Sequence, residues 1–508
     1  MNRKCGVLLP VASLPSEYGI GCFSKEAYAF IDFLAQAGQA YWQILPLGQT
    51  GYGDSPYQSF STFAGNPYFI DLEKLQEAGY LTKEETDAVY FGDNPERISY
   101  ESVYRGRFPL LKKAYENSPF AACPAQRWAG AEFDKVRQEF ADYIEANRDW
   151  LPDYALYSAV KNKNGGSSYI EWPEDIRLRR EAAMERAKEE LADEIRFYEF
   201  QQFLFAGQWR DLKAYANEKG IQIIGDIPIY VAFDSADTWS HPELFEFDEK
   251  GYPTVVAGCP PDGFSATGQL WGNSIYRWEY HRETGYAWWI SRMANCFRMY
   301  DVVRIDHFRG FDEYYAIPYG DATAEFGEWR KGPGYELFDA IESALGRKQI
   351  IAEDLGFITP SVRELVKKTG YPNMKVLQFA FDAREPGTGD YLPHNYGTNC
   401  VVYTGTHDNE TMRGWYNHVA EADRQYAEEY VDVRSEETAA WTFIRTAFLS
   451  VADTCIIPMQ DYLNLGDEAR INEPSTLGGN WEWRMKKGAW DENLAARMRR
   501  LAQLYGRL

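Results

Sequence analysis

The sequence VVRID, residues 302–306, places an acidic residue directly after a short apolar run rich in β-branched residues. The same arrangement recurs in IIAED (350–354) and in VVYTGTHD (401–408). Such runs are typical of buried parallel strands, and in a barrel of parallel strands the residues that follow the strands meet at one rim. We therefore expect three carboxylates to lie together at that rim.

Apolar runs of strand length recur eight times along the chain, which is the number that a (β/α)8 barrel requires. They lie at 6–10, 41–47, 221–229, 300–305, 349–354, 375–381, 399–406 and 453–459. Helical segments separate several of them, such as 24–38 and 359–370. In the latter, Thr359 as cap, Pro360 at the first helical position and Gly370 at the end mark the bounds of the helix. The pattern predicts an α/β fold, a TIM barrel.

Two gaps between the predicted strands, 48–220 and 230–299, are too long for simple crossovers. We predict one catalytic barrel over 1–508, with a mainly helical insertion at 62–200, a second insertion at 230–299, and no separate C-terminal β-domain. The charged stretch 174–205 lacks sustained heptads, so the pattern favours a solvated helix face over a coiled coil.

The charge balance excludes several classes of partner. The 508 residues carry 53 Lys and Arg against 76 Asp and Glu, a formal net charge of −23. Because the basic residues are interleaved with acids, binding to nucleic acid or to an anionic membrane surface is disfavoured. No apolar run reaches the roughly 18 residues of a membrane span. Aromatic residues make up 16% of the chain, which suits ligands whose C–H faces stack on rings, such as sugars.

Metal sites and disulfides have little support in the sequence. The seven cysteines are scattered, odd in number and without CxxC spacing, so reduced thiols in a cytoplasm fit best. The start, residues 1–15, resembles a weak signal peptide, but its apolar stretch is short and contains Pro10, so we interpret it as the first strand. The six histidines include no HExxH, and no dinucleotide or phosphate loop is present, so we predict neither a metal nor a cofactor.

The three carboxylates suit chemistry at a glycosidic bond. A retaining mechanism requires a carboxylate that attacks the anomeric carbon and an acid that protonates the departing oxygen, about 5–5.5 Å apart. Arg304 precedes Asp306 by two residues, so both side chains point to one face of the strand, where a guanidinium would keep the nucleophile ionised. Glu353 has no adjacent cation in sequence and suits the general acid. Asp408, preceded by His407, suits a stabiliser of the transition state.

Each of these motifs has a plainer interpretation when it is taken alone. An Arg-x-Asp pair is commonly a surface ion pair, and an acid after a strand is commonly a helix cap. The occurrence of all three acids at the ends of predicted strands favours a catalytic role over these plainer interpretations. Two alternatives remain open from the residues: an α-glucan hydrolase of the amylase type, and a non-catalytic glycan-binding protein on a decayed barrel, which the presence of all three acids disfavours.

The segments RIDHFRG (304–310), IAEDLG (351–356) and GTHDNET (405–411) resemble the signature segments of the 4-α-glucanotransferases called amylomaltases or disproportionating enzymes, relatives of the α-amylases. The resemblance covers nearly the whole chain. Further matching segments are SLPSEYGIG (13–21), YWQILPLGQTGYGDSPYQSFSTFAGNP (41–67), IIGDIPIYV (223–231), VAGCPPDGFSATGQLWGN (256–273) and NWEWR (480–484). The chain departs from the family pattern at Ser274, where Pro is usual, and at Ser475, where Gly is common.

The resemblance implies retaining transfer of α-1,4-glucan segments from a donor maltooligosaccharide to the 4-hydroxyl of an acceptor glucose or glucan, with ring closure as a variant of the same transfer. It implies Asp306 as the nucleophile that becomes covalently glycosylated, Glu353 as the acid and base, and Asp408 as the stabiliser of the transition state. The implied binding partners are α-1,4-glucans and maltooligosaccharides.

The resemblance also implies a set of residues that bind the sugars. They are Ser55, Tyr57, Asp226, Trp271, Arg304, His307 and His407. Ser55 and also Asn472 are weaker candidates, for contacts to the donor chain. Tyr57 would stack against the sugar that becomes attached, although a core aromatic is an equal alternative without the family match. His307 would face the acceptor side.

The segment 260–273 has the composition of a lid over the acceptor. It starts with two prolines, Gly263 and Gly268 offer flexible points, and Phe264 and Trp271 offer platforms for a sugar. Such a lid would favour transfer over hydrolysis by excluding water and holding the acceptor at high effective molarity. An ordinary surface loop made of turn-forming residues is the alternative.

Overall fold

The computed structural model describes residues 3–51, 53–122, 128, 130–261, 265–356, 358–384, 386–433, 435–476 and 478–508. The strands in this part of the chain are β1 Lys4–Leu8, β2 Tyr41–Gln43, β3 Gln222–Pro228, β4 Val255–Cys259, β5 Gln269–Ser274, β6 Val302–Asp306, β7 Glu313–Pro318, β8 Glu328–Lys331, β9 Ile350–Ala352, β10 Asn373–Val376, β11 Cys400–Tyr403 and β12 Thr454–Pro458.

The helices surround the strands and fill the long connections between them. They are α1 Lys25–Gln36, α2 Leu72–Glu77, α3 Lys83–Asp87, α4 Tyr100–Glu116, α5 Ala131–Ala146, α6 Leu151–Lys163, α7 Glu174–Arg177, α8 Glu181–Glu190, α9 Ala192–Glu218, α10 Ala236–Ser240, α11 Trp278–Glu283, α12 Ala287–Met299, α13 Tyr335–Leu345, α14 Pro360–Thr369, α15 Met412–His418, α16 Glu421–Val431, α17 Glu436–Leu449, α18 Met459–Tyr462 and α19 Glu492–Leu504. None of these described helices is both long and apolar enough to cross a bilayer.

Eight strands form one parallel sheet in the order β10-β11-β12-β1-β2-β3-β6-β9, which confirms the predicted barrel. The barrel strands are largely buried on both faces, because one face packs into the barrel and the other against helices, and Asp226 and Arg304 are buried charged residues within them. The helix after β9 also begins and ends as predicted. The side chain of Thr359 accepts the N–H of Val362, and Gly370 adopts a left-handed φ of 70°.

Between β9 and β10 the barrel is closed by one backbone hydrogen bond and by the side chain of Asp354. The Ala352 N–H donates to the carbonyl of Pro372 at 3.0 Å. Beside it, the carboxylate of Asp354 accepts the Met374 N–H at 3.0 Å and the amide Nδ2 of Asn373 at 3.1 Å. Asp354, the last residue of the IIAED run, therefore accepts the hydrogen bond that a strand carbonyl would otherwise accept between β9 and β10.

Replacing Asp354 by Ala is expected to lower the free energy of unfolding by about 1–3 kcal/mol, because the buried N–H of Met374 loses its acceptor. Asp354→Asn keeps an acceptor oxygen and removes a charge whose pKa burial raises to about 6, so it should be nearly neutral. Urea unfolding at pH 7.5 measures both. Equal stability of the two variants would contradict this role of the carboxylate.

Several predicted elements are too long. The run 375–381 is a strand only to Val376 and continues as a 3-10 turn from Leu377 to Phe379. There Gln378 turns its amide toward the loop after β11 and donates to the Glu410 carbonyl at 2.8 Å, which an extended backbone would not allow. The stretch 174–205 is divided among three helices.

A second sheet lies between the barrel strands in sequence. It is antiparallel, with the order β5-β4-β7-β8, and is built from residues that precede and follow β6. β4 is followed by 260–268 and then by β5, so the second half of the predicted lid is a strand. This sheet brings Trp271 close to the end of β6.

Candidate active site

Three neighbouring strands bring four charged side chains together. Asp226 of β3 and Arg304 of β6 are laterally paired, and so are Ile305 of β6 and Ala352 of β9. The next residues, Asp306 and Glu353, therefore stand side by side where the two strands end. Adjacent strands lie about 4.8 Å apart, so the two carboxylates are within reach of one sugar ring.

Arg304 is the centre of this arrangement and only 3% of its side chain is exposed. Its Nη1 donates to both oxygens of Asp226, at 2.7 and 2.6 Å, and its Nη2 donates to Oδ1 of Asp306 at 3.0 Å. Although burial acts to lower it, the two carboxylates raise the pKa of Arg304 above its ordinary value. The guanidinium stays charged and fixes the position of Asp306.

Arg304 acts to lower the pKa of Asp306, as expected, but burial outweighs this effect. Burial raises the pKa of Asp306 well above its ordinary value, and Glu353 and Asp226 add to the rise while Arg304 opposes it. Arg304 divides its charge between two carboxylates, and Asp226, which is not exposed, takes the closer contacts. Asp306 and Glu353 thus titrate as a pair, in two steps that belong to both.

Glu353 is held by backbone donors. Its Oε2 accepts the N–H of His307 at 2.6 Å and its Oε1 accepts the N–H of Leu355 at 2.8 Å. These bonds and Arg304 lower its pKa, but burial has the larger effect and raises it overall. His307 adopts a left-handed φ of 53°, which turns its N–H toward the carboxylate. A non-glycine residue in this conformation is strained, and such strain is common at functional sites.

Asp408 follows β11 and is held from the far end of the chain. Its Oδ1 accepts Nδ2 of Asn472 at 2.7 Å, and Nη2 of Arg470 donates to its carbonyl at 3.1 Å. Its Oδ2 lies 3.3 Å from Nε2 of His407. Burial lowers the pKa of His407, so this imidazole is neutral at pH 7.

Tyr57 closes one side of the site. Its hydroxyl donates to Oδ2 of Asp226 at 2.9 Å, and its ring stacks on His407 with centroids 5.2 Å apart and planes 16° apart. Trp481 contacts both rings, at 5.8 and 6.0 Å. The aromatic wall therefore spans the side of the site between Asp226 and Asp408.

His307 and Trp271 form the opposite wall. Their rings meet edge to face at 4.8 Å, and Tyr230 packs on both at 6.2 Å. Trp271 is fixed by its strand and by a hydrogen bond from Nε1 to Oε1 of Gln269 at 3.0 Å. Burial lowers the pKa of His307 to about 3, so its ring is also neutral.

Gly268, one of the two predicted flexible points, has a packing reason to be glycine. Its φ is 71°, and a Cβ added there would lie 2.4 Å from the Cys259 carbonyl, so glycine is required for close packing. Gly263 and Phe264, the other predicted point and the platform, lie outside the described residues. Ser274 donates its N–H to the Val231 carbonyl at 2.9 Å, which a proline could not do.

Ser55 does not reach the acids through its described contacts. Its hydroxyl accepts the N–H of Tyr57 at 3.3 Å and so shapes the turn that carries that ring. The other predicted site residues lie around the three acids. Ser475, with φ of 66°, uses the conformation that the usual glycine would adopt, in the segment that follows Asn472.

Four further residues near the site are not among those predicted from sequence: Arg470, Trp481, Gln58 and Asn273. Nε2 of Gln58 donates a hydrogen bond to Oδ1 of Asn273 at 2.9 Å. Trp481 and Asn273 stand in segments that match the family, NWEWR and VAGCPPDGFSATGQLWGN, so a signal existed for both. Arg470 acts through the backbone of Asp408, and its spacing in sequence gives no sign of this contact.

Comparison with known proteins supports the same interpretation. The profile of the 4-alpha-glucanotransferase family matches residues 9–489. The 4-alpha-glucanotransferase of Clostridium butyricum is 49% identical over 501 residues, which are 98% of this chain and 99% of the relative. That of Thermus thermophilus is 46% identical over 515 residues and all of both chains.

Solved structures share the fold. The amylomaltase of Streptococcus agalactiae, solved in complex with acarbose, superposes with a TM-score of 0.94 at 41% identity and covers 99% of both chains. The amylomaltase of Corynebacterium glutamicum has a TM-score of 0.78 at 18% identity over 100% of this chain and 75% of its own. The chain belongs to the 4-alpha-glucanotransferase family of enzymes.

Proposed function

We propose that this enzyme transfers α-1,4-glucan segments from a maltooligosaccharide donor to the 4-hydroxyl of an acceptor glucose or glucan, with retention, through a covalent glycosyl intermediate on Asp306. The observation that carries the proposal is the contact of one buried guanidinium with Asp226 and Asp306, beside Glu353 on the next strand. That contact fixes one carboxylate while its neighbour, which Arg304 does not bond, is free to carry a proton.

In the first step Asp306 attacks the anomeric carbon, and Glu353 gives its proton to the glycosidic oxygen of the departing chain. In the second step Glu353 takes the proton of the acceptor hydroxyl as that oxygen displaces Asp306. Asp408, held by Asn472, would stabilise the positive charge that develops on the ring in both transition states. The enzyme ends each cycle in its starting protonation state.

The two aromatic walls give the sugars different surroundings. We assign Tyr57, His407 and Asp226 to the sugar that becomes attached, and Trp271 and His307 to the acceptor. Since His307 and His407 are both neutral, their rings can bond hydroxyl groups without competing for the charge of the acids. Ring closure requires only that the far end of the attached chain enters the acceptor side. An acceptor held there reaches the intermediate before water does.

The intermediate can be trapped in the Glu353→Gln variant with α-maltosyl fluoride as donor. Fluoride leaves without a proton, so glycosylation should proceed, whereas the second step lacks its base and the adduct should accumulate. Intact-protein mass spectrometry should detect one maltosyl group, and peptide mapping should locate it on residue 306. The double variant Asp306→Asn, Glu353→Gln is the matched control. An adduct elsewhere, or none at all, would contradict the proposal.

The pH dependence of kcat/KM tests the role of Glu353. Burial raises its pKa, so the protonated form persists above the ordinary range of a glutamate and activity on maltotriose should fall only as the pH rises through this raised value. Activity should fall again at low pH, where the coupled pair of Asp306 and Glu353 carries a proton on both carboxylates and no nucleophile is left. With α-maltosyl fluoride the alkaline decline of the first step should vanish. A decline that persists with fluoride would assign it to another group.

A further inference from the structure

A second cluster of charged side chains lies outside the site, where the loop after β11 meets α15. Nδ1 of His418 lies 2.8 Å from Oε1 of Glu410 and 3.0 Å from Oδ2 of Asp467. Among the described residues these are the His, Cys, Asp and Glu side chains whose ligand atoms converge as a group of three, all within 4.8 Å of one another.

Contacts outside the cluster hold the side chain of Asp467 and the backbone of Glu410. Oδ1 of Asp467 accepts the N–H of Thr411 at 3.1 Å, and the carboxylate packs on Gly414, where a Cβ would lie 2.0 Å from the same oxygen. The backbone of Glu410 is held by Gln378. Groups that hold ligand side chains in this way are typical of metal sites, because they fix the geometry before the ion binds.

Without a metal ion His418 pairs with the two carboxylates, and the hydrogen bond to Glu410, with the charge of both acids, raises the pKa of the imidazole. Both carboxylates approach the same nitrogen, and one N–H can donate well to only one of them. An ion with bonds of about 2.0–2.2 Å would place its ligand atoms roughly 3–3.5 Å apart. The two carboxylate oxygens lie 2.8 and 3.0 Å from the His418 nitrogen, so a small outward shift would admit the ion. The His418 side chain is 61% exposed, which leaves room for water ligands. His418 is the last residue of α15, where the helix dipole favours positive charge.

We propose that Glu410, His418 and Asp467 form a binding site for a divalent transition-metal ion, with Zn²⁺ as the probe. One imidazole and two carboxylates with open positions suit this class, whereas Ca²⁺ takes more oxygen ligands and Mg²⁺ keeps most of its waters. The site takes no part in the transfer chemistry.

The position of the site gives it a structural consequence. Glu410 is two residues beyond Asp408, and Asp467 is three residues before Arg470, which bonds the backbone of Asp408. A bound ion would therefore join the loop that carries Asp408 to the segment that holds it. We expect the ion to raise the thermal unfolding temperature and to leave turnover with saturating maltotriose within about twofold, since neither catalytic wall changes.

Calorimetric titration of the chelator-treated full chain with Zn²⁺ tests the assignment. Wild type should bind one ion that His418→Ala and Glu410→Gln bind at least about tenfold more weakly, since even groups around a metal's ligands are worth about 10–100-fold in affinity. The Zn²⁺-dependent rise in unfolding temperature should disappear in both variants.

His241→Ala is the matched control. His241 is also a partly exposed histidine beside two acids, but Glu243 lies near Nδ1 at 3.3 Å and Asp153 near Nε2 at 3.9 Å, so one nitrogen does not serve both. This variant should bind Zn²⁺ as wild type does. No binding by wild type, equal binding by the His418 and Glu410 variants, or selective binding of Ca²⁺ would each overturn the proposal.

Discussion

Asp306→Asn is expected to reduce transfer between maltooligosaccharides by roughly 10⁴- to 10⁶-fold, the range found when a member of a covalent catalytic set is removed. The amide has nearly the shape of the carboxylate but cannot attack the anomeric carbon. Product chains made from maltotriose, separated by chromatography over time, measure the loss. Retained binding of maltooligosaccharide to the variant would show that the site is intact. Asp306→Ala should behave alike and excludes slow deamidation as a source of activity.

The same change should leave the protein as stable as before, or more stable. Burial raises the pKa of Asp306, so the ionised group is less favourable in the folded than in the unfolded chain. For an acid with a raised pKa, the free energy of unfolding falls as the pH rises from the unfolded pKa, about 3.9, toward the folded pKa, and it is constant above that. The Asn variant lacks this fall. Its unfolding temperature relative to that of wild type should therefore increase as the pH rises through this interval.

Asp354→Asn is the control for the chemistry of the substitution. Asp354 follows Glu353 directly, but its carboxylate bonds residues of β10 and not the sugar site. It should retain transfer within about tenfold, because it affects the acids only through the backbone. Loss of activity as deep as that of Asp306→Asn would mean that the local backbone, and not the nucleophile, accounts for both results.

The sequence predicted the barrel and the strands that carry the acids for a physical reason. Buried parallel strands are largely apolar on both faces, so most of the polar chemistry begins where a strand ends. Asp306 is the last residue of β6, Glu353 directly follows β9, and Asp408 lies in the loop after β11. Asp226 and Arg304 are exceptions, because they lie inside strands and pair with each other.

Strand ends were less predictable. Leu377 and Phe379 continue the apolar pattern of β10, but they lie in a 3-10 turn. The side chain of Gln378 stabilises this turn by donating to the Glu410 carbonyl.

The electrostatics and the long-range contacts of the site could not be derived in the same way. Arg304 precedes Asp306 by two residues, but its closer partner is Asp226, 78 residues away in sequence. Burial of the whole group, which sets the direction of the pKa of Asp306, exists only in the folded chain. Asn472 and Arg470 reach Asp408 from an irregular segment without periodicity, so no local pattern indicates them.

Arg304→Met should destabilise the fold as well as abolish transfer. The change leaves the carboxylate of Asp226, which is not exposed, without its cation, and breaking a buried pair in this way costs about 3–5 kcal/mol. Transfer should fall because Asp306 loses the contact that fixes it. Arg304→Lys is the conservative comparison. An ammonium cannot match the guanidinium fork that bonds two carboxylates, so much of the loss should remain. Thermal unfolding and the maltotriose assay measure the two effects.

The double variant Arg304→Met, Asp226→Leu separates them. With both partners replaced by apolar side chains the carboxylate that was fully buried, Asp226, is gone, so most of the lost stability should return. Transfer should not return, because Asp306 and the hydroxyl of Tyr57 still lack their partners. If the double variant were no more stable than Arg304→Met, the pair would matter for packing and not for charge. If it were active, Arg304 would not be what positions the nucleophile.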